Sequence, residues 1–189
     1  MRTAYSIRAV VAIAASVLTG VGCSGLEDEA VSNPGSATTS VRYSSSNLYH
    51  PCRDVGNGLA FEAGLDPASK SLDPEEKAEE PSMWQVCKWH SADHQVIISI
   101  YATYYTLDHA RKRSTTVNKS DTTIAGRAAH TAQDRSEPDS CYTSVDADAG
   151  MFEFRATWVQ PGEHSTSICE VSEEYAARLR PRLPDRATI

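Results

Sequence analysis

The sequence predicts an α+β domain: one antiparallel sheet of about five strands with flanking helices, stapled by two disulfides. Three observations carry this. Apolar residues alternate with period two through most of the second half of the chain. Helical stripes stand at the two ends without the strand–helix–strand rhythm of a parallel sheet. Four cysteines remain for pairing once a fifth is assigned to an N-terminal export signal.

The elements follow in order. His50-Pro51-Cys52 opens a helix, because proline suits the first turn. Cys52, Val55 and Leu59 recur at helical spacing, Gly64 suits the stop, and Gly56 and Gly58 weaken the middle. Residues 84–90 alternate as a strand, and Ser91-Ala92-Asp93-His94 reads as a turn. Residues 95–106 form the strongest predicted strand, with Val96, Ile98, Ile100, Ala102 and Tyr104 on one face and Ile97, Ser99, Tyr101, Thr103 and Tyr105 on the other. A short helix is expected over 107–113. Residues 122–133 carry Ile124, a turn at Gly126 and a strand. Residues 141–147 and 151–159 make a hairpin about Asp148-Ala149-Gly150. A last helix begins at Ser167, which forms a capping box with Glu170. It presents Ile168, Val171, Tyr175 and Leu179 on one side and ends at Pro181 and Pro184. Helices segregated to one face of the sheet are the expected arrangement.

The N-terminus reads as an address. Arg2 and Arg8 precede an uncharged apolar run over 9–21, which is too short for a retained membrane span and fits a secretory signal. Gly20-Val21-Gly22-Cys23 resembles a lipobox, with Gly20 where Leu is usual. The resemblance implies cleavage after residue 22 and lipidation of Cys23; two or more acyl chains anchor a protein durably. Residues 23–48 are rich in Ser, Thr, Gly and acid, and are expected to act as a flexible tether. The folded domain is expected over 49–184, with a tail at 185–189.

Cys52, Cys87, Cys141 and Cys169 then form two disulfides. Three pairings are open. The favoured one is Cys52–Cys87 with Cys141–Cys169, because each closes a local loop of about 30 residues and ties a helix to a strand. No CxxC pair offers a zinc site.

Charge narrows the partners. The chain has 189 residues and a formal charge of −7. Removing residues 1–22 takes away Arg2 and Arg8 and no acid, which brings the charge to −9. Such a charge argues against nucleic acid. The acidic stretch about Asp73-Pro74-Glu75-Glu76 lacks the alternation and central glycine of a calcium loop and reads as a solvated loop. His90, Asp93 and His94 at a hairpin tip read as a polar turn rather than a metal site, and no cofactor or metal is expected. The chain carries no G-x-S-x-G, S-x-x-K or H-E-x-x-H motif, so no catalytic residue is assigned. The candidate binding face is Tyr101, Thr103 and Tyr105, a semi-polar aromatic surface suited to a ligand or partner.

Several short motifs stand in order along the chain: Pro51-Cys52, Gly64-Leu65, Cys87-Lys88-Trp89, Gly126-Arg127-Ala128-Ala129, Cys141, Cys169 and Leu183-Pro184. Together they resemble the actinobacterial lipoprotein family known as domain of unknown function 3558. His50 and Ala128 stand where that family's pattern usually has Asn and Pro. The resemblance implies export, a lipid anchor on the outer face of the cell membrane and a disulfide-stapled α+β domain. It carries no activity and no catalytic residues. The expected function is therefore a non-enzymatic domain that binds a small ligand or an envelope protein. The alternatives are an envelope hydrolase with an unrecognised active site and a structural or sensor accessory domain.

Overall fold

The computed structural model describes residues 47–72 and 83–189. The expected signal (1–22), Cys23, nearly all of the tether and the acidic stretch about Glu75 lie outside the described residues. Within the described residues seven strands form one sheet: β1 (Ser71–Leu72), β2 (Trp84–His90), β3 (Val96–Thr103), β4 (Thr116–Ile124), β5 (Arg127–Asp134), β6 (Ser140–Asp146) and β7 (Met151–Trp158). Their spatial order is β1-β2-β3-β7-β6-β5-β4, and every neighbouring pair is antiparallel. Four α-helices accompany them: α1 (Pro51–Asp54), α2 (Asn57–Glu62), α3 (Leu107–Lys112) and α4 (Ile168–Leu179). The α+β class and the antiparallel sheet agree with the sequence expectation.

Register explains where the core sits. Ile100 lies opposite Cys87 on one side and Phe154 on the other, and Phe154 in turn faces Thr143. Directly opposed residues share a face, so Trp89, Ile98, Ile100, Ala102, Phe152, Phe154, Ala156 and Val145 line one surface, all buried. Helix α4 lays Ile168, Val171, Tyr175, Ala176 and Leu179 into the same core. Its capping box forms as expected, with the Glu170 carboxylate accepting from the Ser167 amide and the Ser167 hydroxyl accepting from Cys169 N. The Ser172 hydroxyl donates to the Phe154 carbonyl at 3.0 Å, which fixes the helix along β7. Disulfides Cys52–Cys87 and Cys141–Cys169 tie α1 to β2 and α4 to β6 on this face, in the favoured pairing.

The sheet has seven strands rather than five. β4 escapes the alternation rule because it is an edge strand, mostly exposed, with a register shift between Val117 and Ser120 and Asn118 at φ 50°. β1 is two residues long with both side chains exposed, so it leaves no hydrophobic signature. The helix expected from His50 to Gly64 is two short ones, broken where Val55 and Gly56 turn extended. Gly64 ends the second at φ +85°, as glycine allows. The strand expected over 95–106 closes at Thr103.

The helices do not share one face. α1, α2 and α4 pack on the core side, whereas α3 lies over the other surface of the sheet, where Arg113 at its end reaches Glu153. The last residues are also tied in. Ala187 accepts from Tyr49 N, Thr188 bridges Leu48, and Ala187 is fully buried. At the β6–β7 turn, Gly150 has φ +80°, and a Cβ there would stand 2.0 Å from the Thr103 carbonyl oxygen, so only glycine fits beside the end of β3.

Candidate ligand-binding site

Period two places Trp84, Tyr101, Glu153, Tyr142, Ser144 and His130 on the surface opposite the core, since Tyr101 opposes Val86 and Glu153, and Ser144 opposes Glu153 and His130. At the edge of this surface the chain leaves β3. The Thr103 hydroxyl donates to the Met83 carbonyl at 2.8 Å and accepts from Tyr105 N at 3.1 Å, and Thr103 itself is fully buried. Of the three residues expected to form a binding face, Thr103 thus works inside the fold. Tyr101 and Tyr105 come together through a residue the sequence reading passed over, Trp84. The indole meets Tyr101 edge-on at 5.7 Å and Tyr105 at 5.2 Å, and Tyr105 meets the His109 ring at 5.1 Å.

Helix α3 rises from this aromatic chain. Thr106 and His109 cap it reciprocally, with the hydroxyl 3.0 Å from Nδ1. Between the helix and the sheet opens a pocket of about 420 Å³. Trp84, Tyr105 and buried Met151 supply its apolar wall and floor. His109, Lys112, Arg113 and Ser114 supply the rest, so three lining residues are basic and none carries a carboxylate. In a chain of net charge −7 this is a local reversal of sign.

Behind the pocket a polar row crosses the sheet. Asp121 Oδ1 takes hydrogen bonds from Arg111 Nε at 2.9 Å and His130 Nδ1 at 3.0 Å. The Arg111 bond first and the His130 bond second hold the Asp121 carboxyl below the usual range. His130 Nε2 is buried without a hydrogen-bond partner. The Ser144 hydroxyl, on the adjacent strand, donates to Glu153 Oε2 at 2.6 Å, and Arg113 Nη2 donates to the same oxygen at 2.8 Å. Arg111 and Arg113 therefore fasten both sides of α3 to the sheet. The Arg113 and Arg155 guanidinium groups also lie over the Tyr142 ring at 4.9 and 5.4 Å. Burial pushes the phenols of Tyr101 and Tyr142 up; the Tyr142 hydroxyl donates to Asp134 at 3.1 Å.

The histidines of the hairpin tip do not converge with Asp93. Its Oδ1 accepts from the Ser91 hydroxyl at 2.6 Å and Gln95 N at 3.1 Å, which closes the turn, while His94 faces Asp66 at 3.7 Å. Among the described residues no group of three or more His, Cys, Asp or Glu is placed to hold a metal ion. No described helix is long and apolar enough to cross a membrane.

A family pattern described as a protein of unknown function, DUF3558, matches residues 18–182, most of the chain. The chain belongs to that family. No curated protein and no solved structure matches it. For this DUF3558 member the function must therefore be argued from its own geometry. Lys112, Arg113 and Met151 were not singled out by sequence because nothing local marks them. Glu153, a lone carboxylate between Phe152 and Phe154 in an alternating strand, did carry a signal: it sits where a charge meets the sheet's second face.

Proposed function

We propose that this DUF3558 member is an exported protein, lipid-anchored through Cys23 on the extracytoplasmic face of the cell membrane, whose domain binds a small ligand or an envelope protein in the Trp84–Tyr105 pocket. The observation that carries the binding reading is the pocket itself. Neighbouring tilted rings, an apolar Met151 and a few polar side chains lining one cavity resemble the usual composition of a ligand site. The address supports the anchoring half: the basic start, the apolar run, Gly20-Val21-Gly22-Cys23, and two disulfides, which persist where thiols oxidise.

The hydroxyl and imidazole that meet beside the pocket, Thr106 and His109, are joined as a helix cap. The hydrolase reading ranks second. It has in its favour the Asp121–His130 pair, with Nε2 buried and partnerless one strand from Ser144. Against it, the Ser144 hydroxyl is directed to Glu153. Covalent capture of Ser144 by a fluorophosphonate would reverse the ranking.

Two measurements test the proposal. Cys23→Ser is expected to move the protein from the membrane to the soluble fraction in its native cell; retention at the membrane overturns the anchor. A thermal-shift screen of aromatic fragments against the full chain in detergent is expected to raise the midpoint. The gain, measured against each variant's own unliganded midpoint, should disappear in Trp84→Ala and Tyr105→Ala. Binding unchanged by both substitutions removes the pocket from the account.

A further inference from the structure

We propose that the pocket's ligand is a small molecule joining a planar ring to an anionic group, a carboxylate or a phosphate monoester. This rests on the pocket being a binding site and adds the chemistry it selects. Two observations fix the two halves. The Trp84–Tyr105–His109 rings stand 5.1–5.2 Å apart in sequence over buried Met151, which leaves an aromatic wall against which another ring can stack. The α3 side carries the cations Lys112 and Arg113, with the His109 imidazole beside them and no carboxylate among the lining residues.

The two acids paired to these cations do not cancel that field equally. Glu153 is committed to Arg113 beneath the helix. Asp108 meets Lys112 at 2.5 Å on the open surface, with side chains 60% and 75% exposed, where an ion pair is weak and exchanges readily for a better anion. Lys112 and Tyr105 line the same pocket, so one molecule can offer its anion to the first and its ring to the second. The chain as a whole is acidic, so the local cations of the pocket set it apart from the average surface.

The test is calorimetric titration of the full chain in detergent with 2-naphthoate, 2-naphthyl phosphate, neutral 2-naphthamide, acetate and inorganic phosphate. The two ring anions are expected to bind saturably, at least about tenfold tighter than 2-naphthamide. Acetate and inorganic phosphate should show no saturable binding. Lys112→Met should erase the advantage of the anions over the amide, and added salt should reduce it. A preference for 2-naphthoate over 2-naphthyl phosphate, or the reverse, then distinguishes the two anionic groups. If 2-naphthamide binds as tightly as the anions and Trp84→Ala abolishes both, the pocket stands and the charge selectivity falls. If none of the ring compounds binds, both readings fail. If the anions bind but Lys112→Met leaves their advantage intact, the anion lies elsewhere and the proposal is overturned.

Discussion

Arg113→Met is expected to destabilise the domain by about 3–5 kcal/mol, the usual cost of removing one partner from a buried ion pair. Glu153 is 2% exposed, and its carboxylate has two donors, Arg113 Nη2 and the Ser144 hydroxyl. Deleting the guanidinium leaves a buried charge with a single neutral donor. The complementary change is milder. Glu153→Gln keeps an acceptor for Ser144, and the Arg113 side chain, 23% exposed, can turn to water and stay over Tyr142, so about 1–2 kcal/mol is expected. Combining the two substitutions should recover part of the Arg113→Met loss, because the stranded charge is gone. Urea unfolding of the four proteins checks this. Equal losses in the single variants, with simple addition in the double, would mean that the pair is not buried in effect. The consequence extends to the pocket: Arg113 closes α3 onto the sheet, so Arg113→Met should also raise amide exchange through residues 107–112.

Legibility followed burial. Strands with one apolar face were readable to within a few residues: β2, β3, β6 and β7 place their core residues at every second position, although the second face of these central strands is largely buried as well. So was α4, whose cap and stripe are both local signals. What escaped was structure held by its neighbours. β4 is exposed on an edge and bulged, so nothing in Thr116-Val117-Asn118-Lys119 demands a strand until β5 offers hydrogen bonds. The division between α1 and α2 depends on Val55 being drawn fully into the core. The candidate site divides in the same way. Tyr101 and Tyr105 were visible as aromatic residues on one face of a strand. That they meet Trp84 rather than each other follows from β3 ending at Thr103, and Lys112 and Arg113 join them because α3 folds back over the second face. The expectation that helices keep to one face failed at α3. Its buried side chains are Leu107 and Ala110, and ion pairs to Asp121 and Glu153 fasten it.

Reducing both disulfides is expected to leave the domain mostly unfolded at body temperature. Cys52–Cys87 and Cys141–Cys169 span 35 and 28 residues, and loops of that size restrain the unfolded chain by about 3.5 kcal/mol each. Together that is comparable to the whole stability of an ordinary domain, about 5–15 kcal/mol. Chain entropy makes the two links nearly equal, so any difference must come from the native side. Cys141–Cys169 holds a helix that already buries Ile168, Val171, Tyr175, Ala176 and Leu179, and α4 should stay docked without it. Cys52–Cys87 holds α1 and α2, of four and six residues, too short to persist alone. The Cys52→Ala/Cys87→Ala variant should therefore lose exchange protection over residues 50–65, while Cys141→Ala/Cys169→Ala loses global stability with its protection pattern unchanged. Hydrogen exchange beside urea unfolding separates the two outcomes. A midpoint insensitive to reductant would show that burial alone sustains the sheet. The strong dependence expected instead means that the chain reaches full stability only where thiols oxidise, so the compartment itself is part of what folds it.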